Sequence, residues 1–231
     1  MVRGCSLLRK LSNSWNASRC WMSYPFLGAH TGVPRVVSFV LGNYFFTAWQ
    51  VADELTALGE ILATLRPRCA LEIGTARGGT LLFLTKLASP RATIISVDLP
   101  EGRFGGGYTS TRAWFYKRFA RRGQRLELLR GDSHTSDVLE RAETVLGGQA
   151  LDYLFIDGDH SYEGVKCDFG MYGPKVRKGG LIAVHDIVDG APEKVGGVPR
   201  FWREIKSQYR HTEIIKNRDQ DSCGIGVLYV D

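Results

Sequence analysis

Two short apolar runs, Tyr153-Leu154-Phe155-Ile156 and Leu181-Ile182-Ala183-Val184, each break off into polar residues. Between them, Ser161 to Tyr172 has helix-like spacing at Val165, Phe169 and Tyr172, closed by Pro174 and Gly179-Gly180. The pattern reads as strand, helix, strand, and such a crossover makes the two strands parallel. Parallel strands end on the same edge of their sheet. That edge, where open α/β sheets take ligands, receives Asp157, Asp159 and His160 from one strand and His185 and Asp186 from the other. Three carboxylates and two imidazoles on one rim are costly unless they share protons, bind a cation or face water. Capping of the following segments accounts for one Asp per strand end and leaves both histidines without a task.

The same alternation runs through the rest of the chain. Thr47-Ala48-Trp49-Gln50 fits a capping box, and Val51, Leu55, Leu58, Leu62 and Leu65 then recur at helical spacing until Pro67. Cys69 to Ile73 is the first strand, followed by the turn Gly74-Thr75-Ala76-Arg77-Gly78-Gly79 and a helix from Thr80 to Ala88. Strand, Gly-rich turn and helix form a cradle in which glycines allow close backbone approach and a helix N-terminus offers free N–H groups. Thr93 to Val97 is the second strand and ends in Asp98, about 20 residues after the turn, the position from which an acid accepts both ribose hydroxyls.

Glu101 to Tyr108 reads as a flexible loop at the functional edge. A helix from Ser110 to Gly123 carries Lys117, Arg118, Arg121 and Arg122 in its last turns, where cations complement the helix dipole or meet phosphate. Leu126 to Arg130 is the third strand and leaves Gly131-Asp132-Ser133-His134 on the rim, with Asp132 and Ser133 able to hydrogen-bond a purine edge. After Ile187 come a second Gly/Pro-rich loop, Asp189 to Val198, with Pro199 as a first helical residue, and two strands, Thr212 to Asn217 and Gly224 to Val230, expected antiparallel. Residues 1–46 are aromatic-rich without a clean period and read as an arm or cap over the active site or a partner subunit, which leaves a homo-oligomer open. Residues 47–231 are expected to be one α/β domain.

Composition narrows the class. No apolar run reaches the roughly 18 residues needed to cross a bilayer, so no membrane partner is expected. Five cysteines, odd in number and without a CxxC pair, suggest neither a disulfide framework nor a zinc site and fit a cytoplasmic protein. No acidic residue precedes Asp53, a composition shared with organelle transit peptides, but Gly4, Pro25, Gly28 and Pro34 interrupt any sustained amphipathic helix.

Taken together, the strand-helix alternation, the Gly-rich turn and the closing antiparallel pair resemble the class I S-adenosylmethionine-dependent methyltransferases over about Thr47 to Val230. The resemblance implies a Rossmann-like doubly wound α/β sheet, mostly parallel with an antiparallel C-terminal strand. Glu72, Gly74, Gly78 and Gly79 match the family's ExGxxxGG cofactor motif, which also contains Thr75, Asp98 matches its ribose-binding acid, and Asp132-Ser133 its adenine position. IDGDHSYEGV followed by GGLIAVHDI is similar to the metal-dependent, catechol O-methyltransferase-like branch. By that likeness Asp157, His185 and Asp186 stand where three ligands bind a divalent cation, with Asp157 also at the cofactor, and His160 stands in place of a catalytic Lys. Both histidines depart from the branch, turning an all-oxygen set that suits magnesium into a mixed set that suits manganese and other transition metals.

The reaction implied is metal-assisted O-methylation of a small-molecule hydroxyl, with His160, which titrates near neutrality when unperturbed, accepting the proton. A basic pI of about 9.1 keeps a nucleic-acid acceptor such as a tRNA hydroxyl in view. However, Asp157-Gly158-Asp159-His160 stands where amino-directed DNA enzymes carry Asn/Asp-Pro-Pro-aromatic. A nicotinamide-dependent oxidoreductase would need GxGxxG spacing, and a non-catalytic scaffold would not be expected to keep Glu72, Asp98, Asp157 and Asp186 together.

Overall fold

The computed structural model of the chain describes residues 31–100 and 107–231. Seven strands, β1 (Cys69–Ile73), β2 (Thr93–Asp98), β3 (Arg125–Arg130), β4 (Leu151–Ile156), β5 (Val176–His185), β6 (Arg210–Ile214) and β7 (Ile225–Tyr229), form one sheet in the order β3-β2-β1-β4-β5-β7-β6. Neighbours are parallel from β3 through β5, and β7 runs antiparallel to both β5 and β6. This is the class I methyltransferase arrangement expected of the sequence, with the strand order reversing at β1 and β4.

Side chains alternate across the pleat and so build two cores. Ala70, Ile94, Tyr153, Phe155, Ala183 and Val227 point to one face, which α1 (Val33–Gly42), α2 (Ala52–Leu65), α3 (Gly79–Leu87) and α4 (Ser110–Tyr116) cover. Leu71, Ile73, Ile95, Leu154, Ile182 and Leu228 point to the other. There α5 (Ser136–Leu146), α6 (Tyr162–Tyr172) and, after the one-turn α7 (Pro192–Val195), α8 (Val198–Ile205) complete the cover. Burial on both faces is why the central strands read as continuous apolar runs.

Several boundaries differ from the sequence reading. The arm expected over residues 1–46 lies mostly outside the described residues, but from Val33 it is a regular helix, with Val33, Val36, Val37 and Val40 buried against the first core. The capping box is not formed: α2 starts at Ala52 after Val51, with no side-chain cap. The helix from Ser110 ends at Tyr116, continues as a 3₁₀ turn over Lys117–Phe119, and is capped by Thr109, whose hydroxyl accepts from the Arg112 amide. Three of the four basic residues expected in its last turns are used locally, Arg118 on the Trp114 carbonyl and ring, Arg121 on the Ala88 carbonyl and Lys117 facing Glu127. The Asp189–Val198 loop contains α7, Pro199 is the second residue of α8, and the strand expected over Thr212–Asn217 is β6, shifted toward the N-terminus.

Candidate active site

Register sets the site. Ile73 pairs with both Val97 and Ile156, and Ile156 pairs with Val184, so Gly74, Asp98, Asp157 and His185 leave four neighbouring strands at one level. A cleft of about 690 Å3 opens there, between the 47–50 segment, the β1 turn and the ends of β2, β3, β4 and β5.

The β1 turn is shaped by its glycines for the chain's own sake as much as for a ligand. Gly74 (φ +90°) lies against the Asp157 carbonyl, Gly78 (φ +78°) against the Tyr116 ring and Gly79 against the backbone of Thr47 and Ala48; a Cβ at any of the three would collide. Thr75 is held by a 2.5 Å hydrogen bond with Ser96. Glu72 is buried in the floor, its Oε1 without a hydrogen-bond partner, and burial pushes its carboxyl up to about 8, with Thr80 and Thr75 opposing the rise. Asp98 accepts from the Ala76 and Gly107 amides at 3.1 and 3.0 Å, and burial raises it to about 6 against those donors. Asp132 and Ser133 line the same cleft, Asp132 accepting from the His134 amide in a tight turn. The residues fit an aminoacyl nucleoside, whose amino group could supply the partner that Glu72 Oε1 lacks among the described residues.

At the mouth of the cradle, one ligand atom each of Asp157, His160 and Asp186 lies within 4.8 Å of the others. His185 Nδ1 sits 3.0 Å from Asp157 and 3.4 Å from Asp186. His160 Nδ1 is 2.6 Å from the Lys194 carbonyl, which can only accept, so that nitrogen carries the proton. His160 also lies 3.7 Å from Asp157 through Nε2 and 3.4 Å from Asp186 through Nδ1. Burial works against a charge on either imidazole, but the carboxylates outweigh it, raising His160 to about 9 and His185 well above its ordinary value. Asp157 is the converse: burial would raise it, and the charges of His185 and His160 hold it low. Two carboxylates and two charged rings packed this closely form a set in which a divalent cation can replace protons. Capping, the plainer use of an Asp after a strand, falls instead to Asp159 and Ser161, which accept from the amides of Ser161 and Gly164 at the start of α6.

Two participants, Gln50 and Cys223, escape a sequence reading, and a third, His134, is placed on the rim by the sequence without its partner. Gln50, which fits a helix cap, donates through Nε2 to Asp157 Oδ2 at 2.8 Å, leaving its buried Oε1 without a partner. His134 lines the cleft with Nε2 3.4 Å from Asp168 Oδ1, a carboxylate fully sealed beneath Gly158. Pairing with Asp168 raises His134 to about 9 against its burial. Cys223 enters the cleft from the β6–β7 loop. Only spacing across the fold brings them in, and no local motif marks any of them.

A family model described as a methyltransferase domain matches residues 71–187, half of the chain. An uncharacterized protein of Acanthamoeba polyphaga mimivirus is 29% identical over 139 residues, 59% of this chain, and the chain spans about 60% of the length of that curated relative. Among solved structures, the chain superposes on an O-methyltransferase from Bacillus cereus in complex with SAH with a TM-score of 0.58 at 18% identity, over 94% of this chain and 99% of that one. It also superposes on the O-methyltransferase TomG of Streptomyces achromogenes, involved in tomaymycin synthesis and in complex with SAM, with a TM-score of 0.57 at 16% identity, over 95% and 98% of the two chains. At these identities the likeness carries the fold.

Proposed function

The chain belongs to the methyltransferase domain family, and from that premise we propose that it transfers a methyl group from S-adenosylmethionine to the hydroxyl of a small molecule, with a divalent cation beside the cradle. The observation that carries the reading is that the glycine cradle and the Asp157, His160 and Asp186 group open onto one cleft.

S-adenosylmethionine supplies an electrophilic methyl carbon on a sulfonium sulfur. Glu72, with an unmatched buried oxygen, would accept from the methionine ammonium beside Thr75 and the backbone of Gly74, Gly78 and Gly79. Asp98 would accept from the ribose hydroxyls, and Asp132 and Ser133 would meet the adenine. Holding donor and acceptor in line is worth roughly 7–11 kcal/mol of the barrier, and these contacts are the chain's means of doing so.

Asp157, His185 and Asp186 would hold the cation, magnesium or more suitably manganese, which lowers the pKa of a neighbouring hydroxyl and balances the two carboxylates. His160, held through Nδ1 on the Lys194 carbonyl, would be the proton acceptor, taking the hydroxyl proton on Nε2. A second reading of the same residue has its own support: one ligand atom each of Asp157, His160 and Asp186 lies within 4.8 Å of the others, an arrangement that also suits His160 as a nitrogen ligand.

Titration of manganese into the full chain, followed by electron paramagnetic resonance, separates these. One bound ion is expected in the wild type, lost in Asp157→Asn and Asp186→Asn and nearly unchanged in His160→Gln. A tenfold to hundredfold loss in His160→Gln would move that histidine from proton acceptor to the coordination of the ion, and a wild type that binds no manganese would remove the cation altogether.

A further inference from the structure

Cys223 lies in the loop between β6 and β7, and its position is fixed from three sides. Its amide donates to Asp186 Oδ1 at 2.8 Å, its carbonyl accepts from the Val188 amide at 3.1 Å, and the next amide, Gly224, donates to the buried Glu54 at 2.9 Å. Asp186 (φ +61°) and Cys223 (φ +66°) are both non-glycine residues in the left-handed region, which costs of order 1–3 kcal/mol each and persists only where the surroundings over-determine it. The result is that a ring nitrogen of His185, a carboxylate oxygen of Asp186 and the Cys223 sulfur lie within 4.8 Å of one another.

An independent observation asks for a ligand here. His185 is only 6% exposed, and its Nε2 is buried without a hydrogen-bond partner among the described residues, a state that buried polar atoms seldom keep. Cys223 is partly exposed and forms no disulfide among the described residues, so an ion can reach it. Nitrogen, oxygen and sulfur together suit zinc or cobalt and do not suit magnesium. Bonds of about 2.0–2.3 Å in a tetrahedral set put neighbouring ligands roughly 3.5 Å apart, so the cluster closes with about 1 Å of movement, within reach of a partly exposed Cys side chain.

We propose that His185, Asp186 and Cys223 form a thiophilic metal site, suited to zinc, that shares His185 and Asp186 with the cation site of the proposed function. Zinc at this site would draw His185 and Asp186 away from a harder ion and so oppose methyl transfer. The site needs neither cofactor nor acceptor, and it stands or falls separately from the methyltransferase reading.

The test is titration of cobalt into the metal-free full chain, followed by absorption. The wild type should develop a thiolate-to-cobalt charge-transfer band saturating at one equivalent and abolished by one equivalent of zinc. Cys223→Ser and Cys223→Ala should lack the band and bind zinc at least tenfold more weakly, with manganese binding unchanged. Cobalt binding without the band, or zinc binding equally tight in both variants, would overturn the site. If the band is present and manganese does not bind, the cation site of the proposed function fails and the thiophilic site stands.

Discussion

Carboxylates sealed from water must be balanced, and three buried carboxyls of this chain differ in how far they are. Glu54 accepts from the Lys216 amide, the Gln220 side chain and the Gly224 amide at 3.1, 2.7 and 2.9 Å. Asp168 faces His134, and Glu72 keeps one oxygen without a partner beside the cradle. Since His134 is raised to about 9 from an ordinary 6.5, its contribution to stability is complete below pH 6.5 and is lost as pH rises through about 9. Stability measured by urea unfolding should therefore fall between pH 6.5 and 9.5, and His134→Gln should flatten that slope while being less stable at pH 6. For His160, acting as the proton acceptor, His160→Gln should lower kcat about 100-fold or more while leaving S-adenosylmethionine affinity unchanged; unchanged kcat would return the histidine to a supporting role. Glu72 and Asp98 were legible as candidates because each holds a set position relative to the Gly-rich turn, one just before it and one at the end of the next strand. The pairing of His134 and the contact of Gln50 were not, because Asp168 and Asp157 are distant in sequence and only the fold brings each pair together.

Among the elements, the strands were the most legible, since burial on both faces leaves an uninterrupted apolar signature. Helix α1 was not. Its valines at 33, 36, 37 and 40 do follow helical spacing, but valine is a weak helix former and Pro34 looks like a breaker, whereas at the second helical position it is tolerated. The start of α2 was misread because Thr47 to Gln50 satisfy a capping pattern, yet the Gln50 amide finds a stronger partner in the ionised Asp157. Helix α2 also anchors the β6–β7 loop through Glu54. Glu54→Ala leaves the Gly224 and Lys216 amides without their acceptor, at about 1–3 kcal/mol each, and thermal unfolding should show a corresponding fall in Tm. Because that loop carries Cys223, the same variant should also weaken zinc binding. An unchanged Tm would show that water replaces the carboxylate.

For the whole molecule, strand order decides where chemistry can occur. The sheet reverses direction of build between β1 and β4, and this is the point at which the turn after β1, the acid after β2 and the acid after β4 converge. A sequence read in order gives each of these separately, and the order β3-β2-β1-β4-β5-β7-β6 explains why they face one another. The pocket for the acceptor was not legible, because the chain segments bordering the cleft, 47–50, 193–194 and 222–223, carry no pattern that points to a ligand. The claim on which the rest depends is that this convergence binds S-adenosylmethionine, and calorimetric titration of the wild-type chain alongside Asp98→Asn tests it most directly. The wild type should bind one equivalent, and the variant, having lost a charge-assisted contact worth about 1.5–3 kcal/mol, should bind at least tenfold more weakly. A wild type that fails to bind, that prefers a nicotinamide dinucleotide, or that binds no better than the variant would contradict it.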